Sequence, residues 1–171
     1  RFTGLGGTTA DEMPLIMDTG NFDVVLSAFN YNLLWRGAEK GILDTACKHE
    51  MGVVCGSPVH QGVLAKIYQE DVINNPIPEL DPKRRKQFIE LYELVHDTGI
   101  SLPELCIRFL LSDSRVSTVL TGVRNIEELE SNVESACKGP LSQEILDKLT
   151  AIYQILPDKP EGEPIALPLK N

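Results

Sequence analysis

Runs of β-branched and apolar residues alternate along the chain with segments whose apolar positions recur at helical spacing. Residues 22–29 form one such run and Met51-Gly-Val-Val-Cys-Gly56 another, and both read as buried strands. Between them, residues 36–50 place Ala38, Ile42, Leu43 and Ala46 on one helical face, with Lys48 and His49 near the C-terminal end, where the helix dipole favours cations. Ahead of the first run, Thr8 or Thr9 could cap a helix running to Gly20, with Pro14 tolerated in its first turns. Beyond the second run, residues 65–82 carry several prolines and Asn74-Asn75, which predicts a long loop of the kind that usually serves a site. Helices are predicted from Lys83 to His96, from Leu102 to Leu111 with Pro103 in the first turn, over 125–137 and over 142–155. A strand is predicted from Val116 to Thr121. The proline-rich tail from Pro157 is expected to lie extended on the surface.

Strands that are apolar throughout and separated by helices must be parallel and covered, which makes the chain α/β. An open doubly wound sheet and a (β/α)8 barrel both satisfy the pattern. The absence of Gly-x-Gly-x-x-Gly after the first strand weakens the dinucleotide-fold version of the open sheet.

Composition narrows the function classes. With 171 residues, 42% of them hydrophobic and 24% charged, the chain can bury one sizeable core and has no signature of disorder. A formal net charge of −9 argues against a general nucleic-acid partner, because no basic excess is available to neutralise phosphates. Cys47, Cys55, Cys106 and Cys137 are widely spaced and form no Cys-x-x-Cys pair, so reduced thiols in a cytoplasmic setting are expected, and neither a disulfide framework nor a zinc site. No run is long enough for a membrane span, and no signal-peptide core is present, so no membrane partner is expected. Arg1-Phe-Thr-Gly-Leu-Gly already reads as the end of a strand entering a glycine-rich turn, and sequence is therefore expected to have preceded it.

The segment Thr118-Val-Leu-Thr-Gly-Val-Arg-Asn-Ile-Glu-Glu-Leu-Glu-Ser-Asn132 carries the strongest chemical signal. A strand ending in Thr-Gly feeds a helix N-terminus, where free backbone N–H groups and the positive dipole end suit a phosphate. Read as Gly122-x-Arg124-x3-Glu128-x2-Ser131-Asn132, the segment resembles the last strand–helix unit of aldo-keto reductases, whose pattern there is Gly-x-Arg/Ser-x3-Gln/Arg-x2-Glu-Asn. Phe22-Asp-Val-Val-Leu-Ser-Ala-Phe-Asn-Tyr-Asn-Leu33 and Val53-Val-Cys-Gly-Ser-Pro-Val-His-Gln-Gly-Val-Leu64 resemble two earlier strands of that family, in matching order. The resemblance runs to about residue 155. It implies the C-terminal half, strands five to eight, of a (β/α)8 TIM barrel over residues 1–155, with an extended tail over 156–171.

Barrel sites form at the C-terminal ends of strands, and the resemblance assigns a nicotinamide dinucleotide, NAD or NADP, to that rim. Thr3 and Gly4 are expected where the family holds the carboxamide, although Gly4 has no amide side chain to offer. Ser57, Pro58, Val59, Gln61 and Gly62 are expected around the pyrophosphate, and Gly56 beside the nicotinamide, where it departs from the family's stacking aromatic. Gly122, Val123, Arg124, Glu128, Ser131 and Asn132 are expected at the adenosine end. Glu128 would repel a ribose 2′-phosphate yet accept hydrogen bonds from a ribose hydroxyl, which tilts the expectation to NAD. Arg124 remains available for a phosphate, and Ser131, where the family has Glu, weakens contact with the adenine. Each of these positions has a plainer reading as well: a turn that ends a strand at Ser57-Pro58, or favourable charge in a helix first turn at Glu127-Glu128. Tyr31 and Trp35, following a strand, could line a substrate pocket or simply pack. His60 is the histidine to watch, since His49 and His96 sit near helix ends and no metal-ligand spacing exists.

The family's Asp, Tyr, Lys and His tetrad belongs to strands earlier than any seen here, so no catalytic residue is expected in this chain. The chain is then the cofactor-binding part of an NAD(P)-dependent oxidoreductase acting on a carbonyl or sugar, or else a non-catalytic half-barrel that self-associates. A half-barrel leaves sheet edges bare, so the missing N-terminal half or a second copy is expected as partner. An open α/β nucleotide-binding domain of another family is the third reading. The departures at Gly4 and Gly56 resemble the sugar-lactone-forming branch, such as L-galactose and D-threo-aldose dehydrogenases.

Overall fold

The computed structural model describes residues 1–164 and 166–169; Ile165, Lys170 and Asn171 of the expected tail lie outside the described residues. Four strands, β1 (Gly4–Gly7), β2 (Val24–Ala28), β3 (Gly52–Gly56) and β4 (Thr118–Leu120), form one parallel sheet in the order β1-β2-β3-β4. Its register aligns Gly4 with Val24, Val24 with Gly52, and Gly56 with Leu120. The α/β class and the parallel sheet are as the alternation of elements predicts.

The pleat divides the sheet into two unlike faces. Val25, Ser27, Val53 and Cys55 point to the helical side and are buried. There, α2 (Ile42–Lys48) packs on β2 and β3, and α4 (Leu102–Leu111) packs on β4. Their core continues through α3 (Pro82–Thr98) and α6 (Gln143–Gln154), with Phe88, Leu91, Leu105, Leu110 and Leu149 inside. Burial pushes the Cys55 thiol up to about 12, so this side chain is an inert apolar filler. On the opposite face Val24, Leu26, Ala28 and Val54 are only half-buried, and Leu120 is 56% exposed. A second apolar surface lies on α5 (Ile126–Cys137), where Ile126, Leu129 and Val133 recur at helical spacing yet face solvent.

Helix boundaries follow local chemistry. Asp81, Ser101, Asn125 and Ser142 cap α3, α4, α5 and α6 through their side-chain oxygens. The predicted helix from Thr8 or Thr9 shrinks to α1 (Met13–Met17), because Pro14 disfavours helical backbone in the residue before it and so sits best at the very start. The predicted helix over 36–50 is split into a 3-10 turn, Gly37–Lys40, and α2. Gly41 separates them with non-helical backbone, and a Cβ there would stand 2.9 Å from Pro14 Cγ, so the close seating of α1 calls for glycine at the break. The predicted loop 65–82 contains a π-helical turn, Gln69–Asn74, whose Val72 and Ile73 carbonyls accept from Arg85.

The tail differs from the expectation of a strand of chain lying on the surface. Glu163 buries its carboxylate against Arg84 and Leu167 is 6% exposed, so the tail packs back onto the body. Tyr31, expected as a possible pocket residue, is buried and donates to Asp113 Oδ2 at 2.7 Å, with Phe109 beside its ring.

Burial works to raise the Asp113 carboxyl, but hydrogen bonds from Arg115 and Tyr31 outweigh it and hold it at about 2. A carboxyl depressed below the ordinary value of about 3.9 stabilises the fold above that value and loses its contribution as pH falls toward 2. Thermal melting across pH 2 to 7 should therefore show a loss of stability between about pH 4 and pH 2. Asp113→Asn should lower the melting temperature at neutral pH and flatten that acid limb; an unchanged limb would show that Asp113 does not govern it.

Candidate functional site

Two cavities open at the rim where the strands end. The larger, about 700 Å³, lies between the loop after β3 and the start of α5. Ser57, Pro58, Val59, Gln61 and Gly62 line it from one side and Gly122, Arg124, Glu128 and Asn132 from the other. Segments far apart in sequence are thus brought to one space because β3 and β4 are neighbours in a parallel sheet.

The loop after β3 is held in an unusual conformation. Ser57, His60 and Gln61 have φ of 60°, 46° and 55°, the left-handed region that non-glycine residues avoid, and Gly62 has φ of 91°. Such strain persists only where surrounding contacts enforce it. Here His60 N donates to Ser57 O, Gly62 N and Leu64 N donate to Val59 O, and Tyr68 Oη donates to Gly62 O at 2.7 Å. A Cβ added to Gly122 would meet nothing within 4 Å, so that backbone faces open space and can be approached closely by a ligand.

Across the cavity, Asn125 caps α5 by accepting from Glu128 N at 2.8 Å. Arg124 donates to Glu128 Oε1 from Nε at 2.9 Å and from Nη2 at 2.7 Å, while its backbone N donates to Oε2 at 2.9 Å. The hydrogen bond from Arg124 lowers the Glu128 carboxyl, and the same contact raises the Arg124 guanidinium. The two form a closed pair in the mouth of the site. Lys66, with Nζ 5.0 Å from the Tyr68 ring centroid, adds a cation to the lining that no motif marked. Leu167 and Leu169 of the tail, together with Pro103, complete the wall; their sequence distance from the motifs left no local signal.

The smaller cavity, about 440 Å³, is lined by Thr8, Asp11, Phe29, Asn30, Trp35, Lys40, His60 and residues 157–159, among others. Trp35 and His60 are buried and stacked, with ring centroids 3.8 Å apart and planes 6° apart. Asn32 orders this stack: its Oδ1 accepts from Leu34 N and Trp35 N, and its Nδ2 lies 3.2 Å from His60 Nδ1. Trp35 therefore lines a cavity, whereas Tyr31 lines neither of the two.

Several expected site residues lie elsewhere. Thr3 and Gly4 stand at the N-terminal end of β1, with Gly4 aligned with Val24 and Gly52, on the rim opposite Ser57 and separated from it by roughly 16 Å of strand. The Thr3 hydroxyl donates to Asn21 O and Asp23 Oδ2, which fastens the start of β1. The C-terminal rim of β1 belongs to Gly6 and Gly7, so Thr3 and Gly4 do not share the rim on which they were expected. Gly56 faces the open side of the sheet against Ala28, beside the larger cavity but outside its lining. Val123 and Ser131 flank the cavity from exposed positions on either side of the lining residues. His49 pairs with Asp18 at the end of α2, and His96 is exposed beside Asp97. Among the described residues no group of His, Cys, Asp and Glu is arranged to hold a metal, and no helix is long and apolar enough to cross a membrane.

Residues 1–154 match the family model described as Aldo/keto reductase family. The chain is 31% identical over 120 residues to an L-glyceraldehyde 3-phosphate reductase of Escherichia coli (strain K12), covering 62% of this chain and 35% of that protein. It is 26% identical over 146 residues to a probable voltage-gated potassium channel subunit beta of Arabidopsis thaliana, covering 77% and 44%. An uncharacterised oxidoreductase, YrpG, of Bacillus subtilis (strain 168) is 26% identical over 133 residues, covering 76% and 40%. The chain thus spans less than half the length of these relatives.

The enforced loop gives a direct test. Gly62→Ala should lower the unfolding free energy by about 1–3 kcal/mol in urea titration, whereas Ser57→Gly should cost nothing or stabilise. Equal midpoints for Gly62→Ala and the parent chain would mean that the loop is not held in this conformation.

Proposed function

The chain belongs to the aldo/keto reductase family, and on that footing we propose that the larger cavity holds the diphosphate and adenosine of a nicotinamide dinucleotide, NAD or NADP. The observation that carries the reading is the meeting of Ser57–Gly62 and Gly122–Asn132 around one cavity of about 700 Å³, a volume within the range of cofactor sites. The cavity suits a dinucleotide in chemistry as well as size. Backbone at Gly122 is open to close approach, the N-terminus of α5 favours negative charge, and Lys66 and Arg124 are cations at the lining.

Glu128 favours NAD in this proposal, through two effects. Its carboxylate repels a 2′-phosphate, and it also captures the guanidinium that would otherwise receive one. When bound, the nicotinamide exchanges hydride with a carbonyl or alcohol carbon. The residues of this chain bind and orient the dinucleotide, and the proton donor, the Asp-Tyr-Lys-His tetrad of the family, comes from outside the chain. Gly6 and Gly7 at the end of β1 and Gly56 at the end of β3 offer neither an amide nor an aromatic, which favours the branch that forms sugar lactones as the source of a substrate class.

We further propose that the chain is strands five to eight of a (β/α)8 barrel, working in the cytoplasm. The half-exposed face with Val24, Leu26, Val54 and Leu120 would then be the barrel interior, and β1 and β4 would be the edges that the remaining strands join. A complementary N-terminal half is the partner this surface fits. A second copy of the chain on the same face is the alternative, in which the protein is a non-catalytic binding module.

Isothermal titration with NAD and NADP should give binding with NAD preferred, and Glu128→Gln should shift the NADP/NAD affinity ratio about tenfold toward NADP; silence to both dinucleotides sinks the assignment. Sedimentation of the chain alone should show self-association, and addition of a separately produced complementary half should replace it with a one-to-one complex. A well-dispersed monomer indifferent to that half would rule the barrel reading out.

A further inference from the structure

The tail supplies walls to both cavities: Pro157, Asp158 and Lys159 border the smaller, and Leu167 and Leu169 border the larger. Between these two contacts lies Glu163, whose side chain is only 4% exposed. Its Oε1 accepts from Arg84 Nε at 2.8 Å, and its Oε2 accepts from Arg84 Nη2 at 3.1 Å and from Trp35 Nε1 at 2.9 Å. Arg84 is itself fully buried, with Nη1 donating to Leu34 O and to Gln87 Oε1, and its guanidinium carbon lies 4.4 Å from the Trp35 ring centroid. A buried carboxylate that meets a guanidinium by two oxygens is geometrically specific, and removing it would strand a buried cation.

Trp35 in turn stacks on His60, and His60 belongs to the strained loop that forms the facing wall of the larger cavity. The two walls, loop and tail, are therefore referenced to the same indole. We infer that Glu163 is a positioning residue for the dinucleotide cavity: it latches the tail to Arg84 and Trp35 and so sets Leu167 and Leu169 against the ligand. This inference rests on the dinucleotide reading for the identity of the ligand, and on the contacts above for the latch itself.

Trp35 is the sole tryptophan of the chain, so its emission reports the latch without a label. Glu163→Gln keeps the shape of the side chain and an acceptor for the indole but removes the charge that pairs with Arg84. At a temperature where circular dichroism shows both forms fully folded, this variant should shift Trp35 emission and raise hydrogen–deuterium exchange over 157–169. It should also weaken NAD binding about tenfold. A chain ending at Pro164, which retains Glu163 but loses Leu167 and Leu169, should show the same weakening with Trp35 emission unchanged. Unchanged emission and exchange in Glu163→Gln, or full-strength NAD binding by the shortened chain, overturns the inference. If the parent chain binds neither NAD nor NADP, the dinucleotide reading falls, and emission and exchange alone decide the latch.

Discussion

Parallel strands cannot be joined by tight turns, so each strand here must hand the chain to a return segment before the next begins. The returns from β2 and β3 cross the face that carries Val25, Ser27, Val53 and Cys55, and the core forms there. With the strands aligned, their C-terminal ends come out together, and the loops that follow them share one rim. The larger cavity follows from that geometry, since loops after adjacent strands enclose a space that neither encloses alone. The same rule leaves the second face without cover, because no segment among the described residues returns across it.

Charge at the rim runs against the charge of the whole. The chain carries a formal −9, yet the larger cavity gathers Lys66, Arg124 and the N-terminus of α5. Glu128 limits that local positive field by closing on Arg124, so selectivity at the mouth is a matter of which partner holds the guanidinium. Behind the mouth, order comes from buried polar contacts: Asn32 fixes the Trp35 backbone, Trp35 stacks on His60, and Arg84 pairs with Glu163. Each of these contacts joins side chains that are themselves buried, and together they tie the rim to the core.

Elements with a complete local signal were legible from the sequence. The helix Leu102–Leu111 begins at a serine cap followed by proline, the helix after Asn125 begins at an asparagine cap, and both appear where the spacing predicts them. Ser57, Gly62, Gly122 and Asn132 were legible through motif resemblance, and their meeting in one cavity needed only the strand order. Features set by tertiary contact were not. The need for glycine at 41 depends on where Pro14 packs, and the burial of Glu163 depends on Arg84, far away in the chain. The placing of Thr3 and Gly4 failed for a different reason: a glycine-rich strand has weak alternation, so its register against β2 could not be read from residue pattern alone.

The strand order has a bearing on how this sheet is made. Each strand pairs with the one that precedes it in sequence, and none is inserted between two already joined. The sheet can therefore grow at a single advancing border as a ribosome releases the chain, each addition closing only the connection just synthesised. Until β4 arrives, that border is β3, with Val53 and Val54 at its middle, and it stays open to pairing through the long stretch of translation between Gly56 and Thr118.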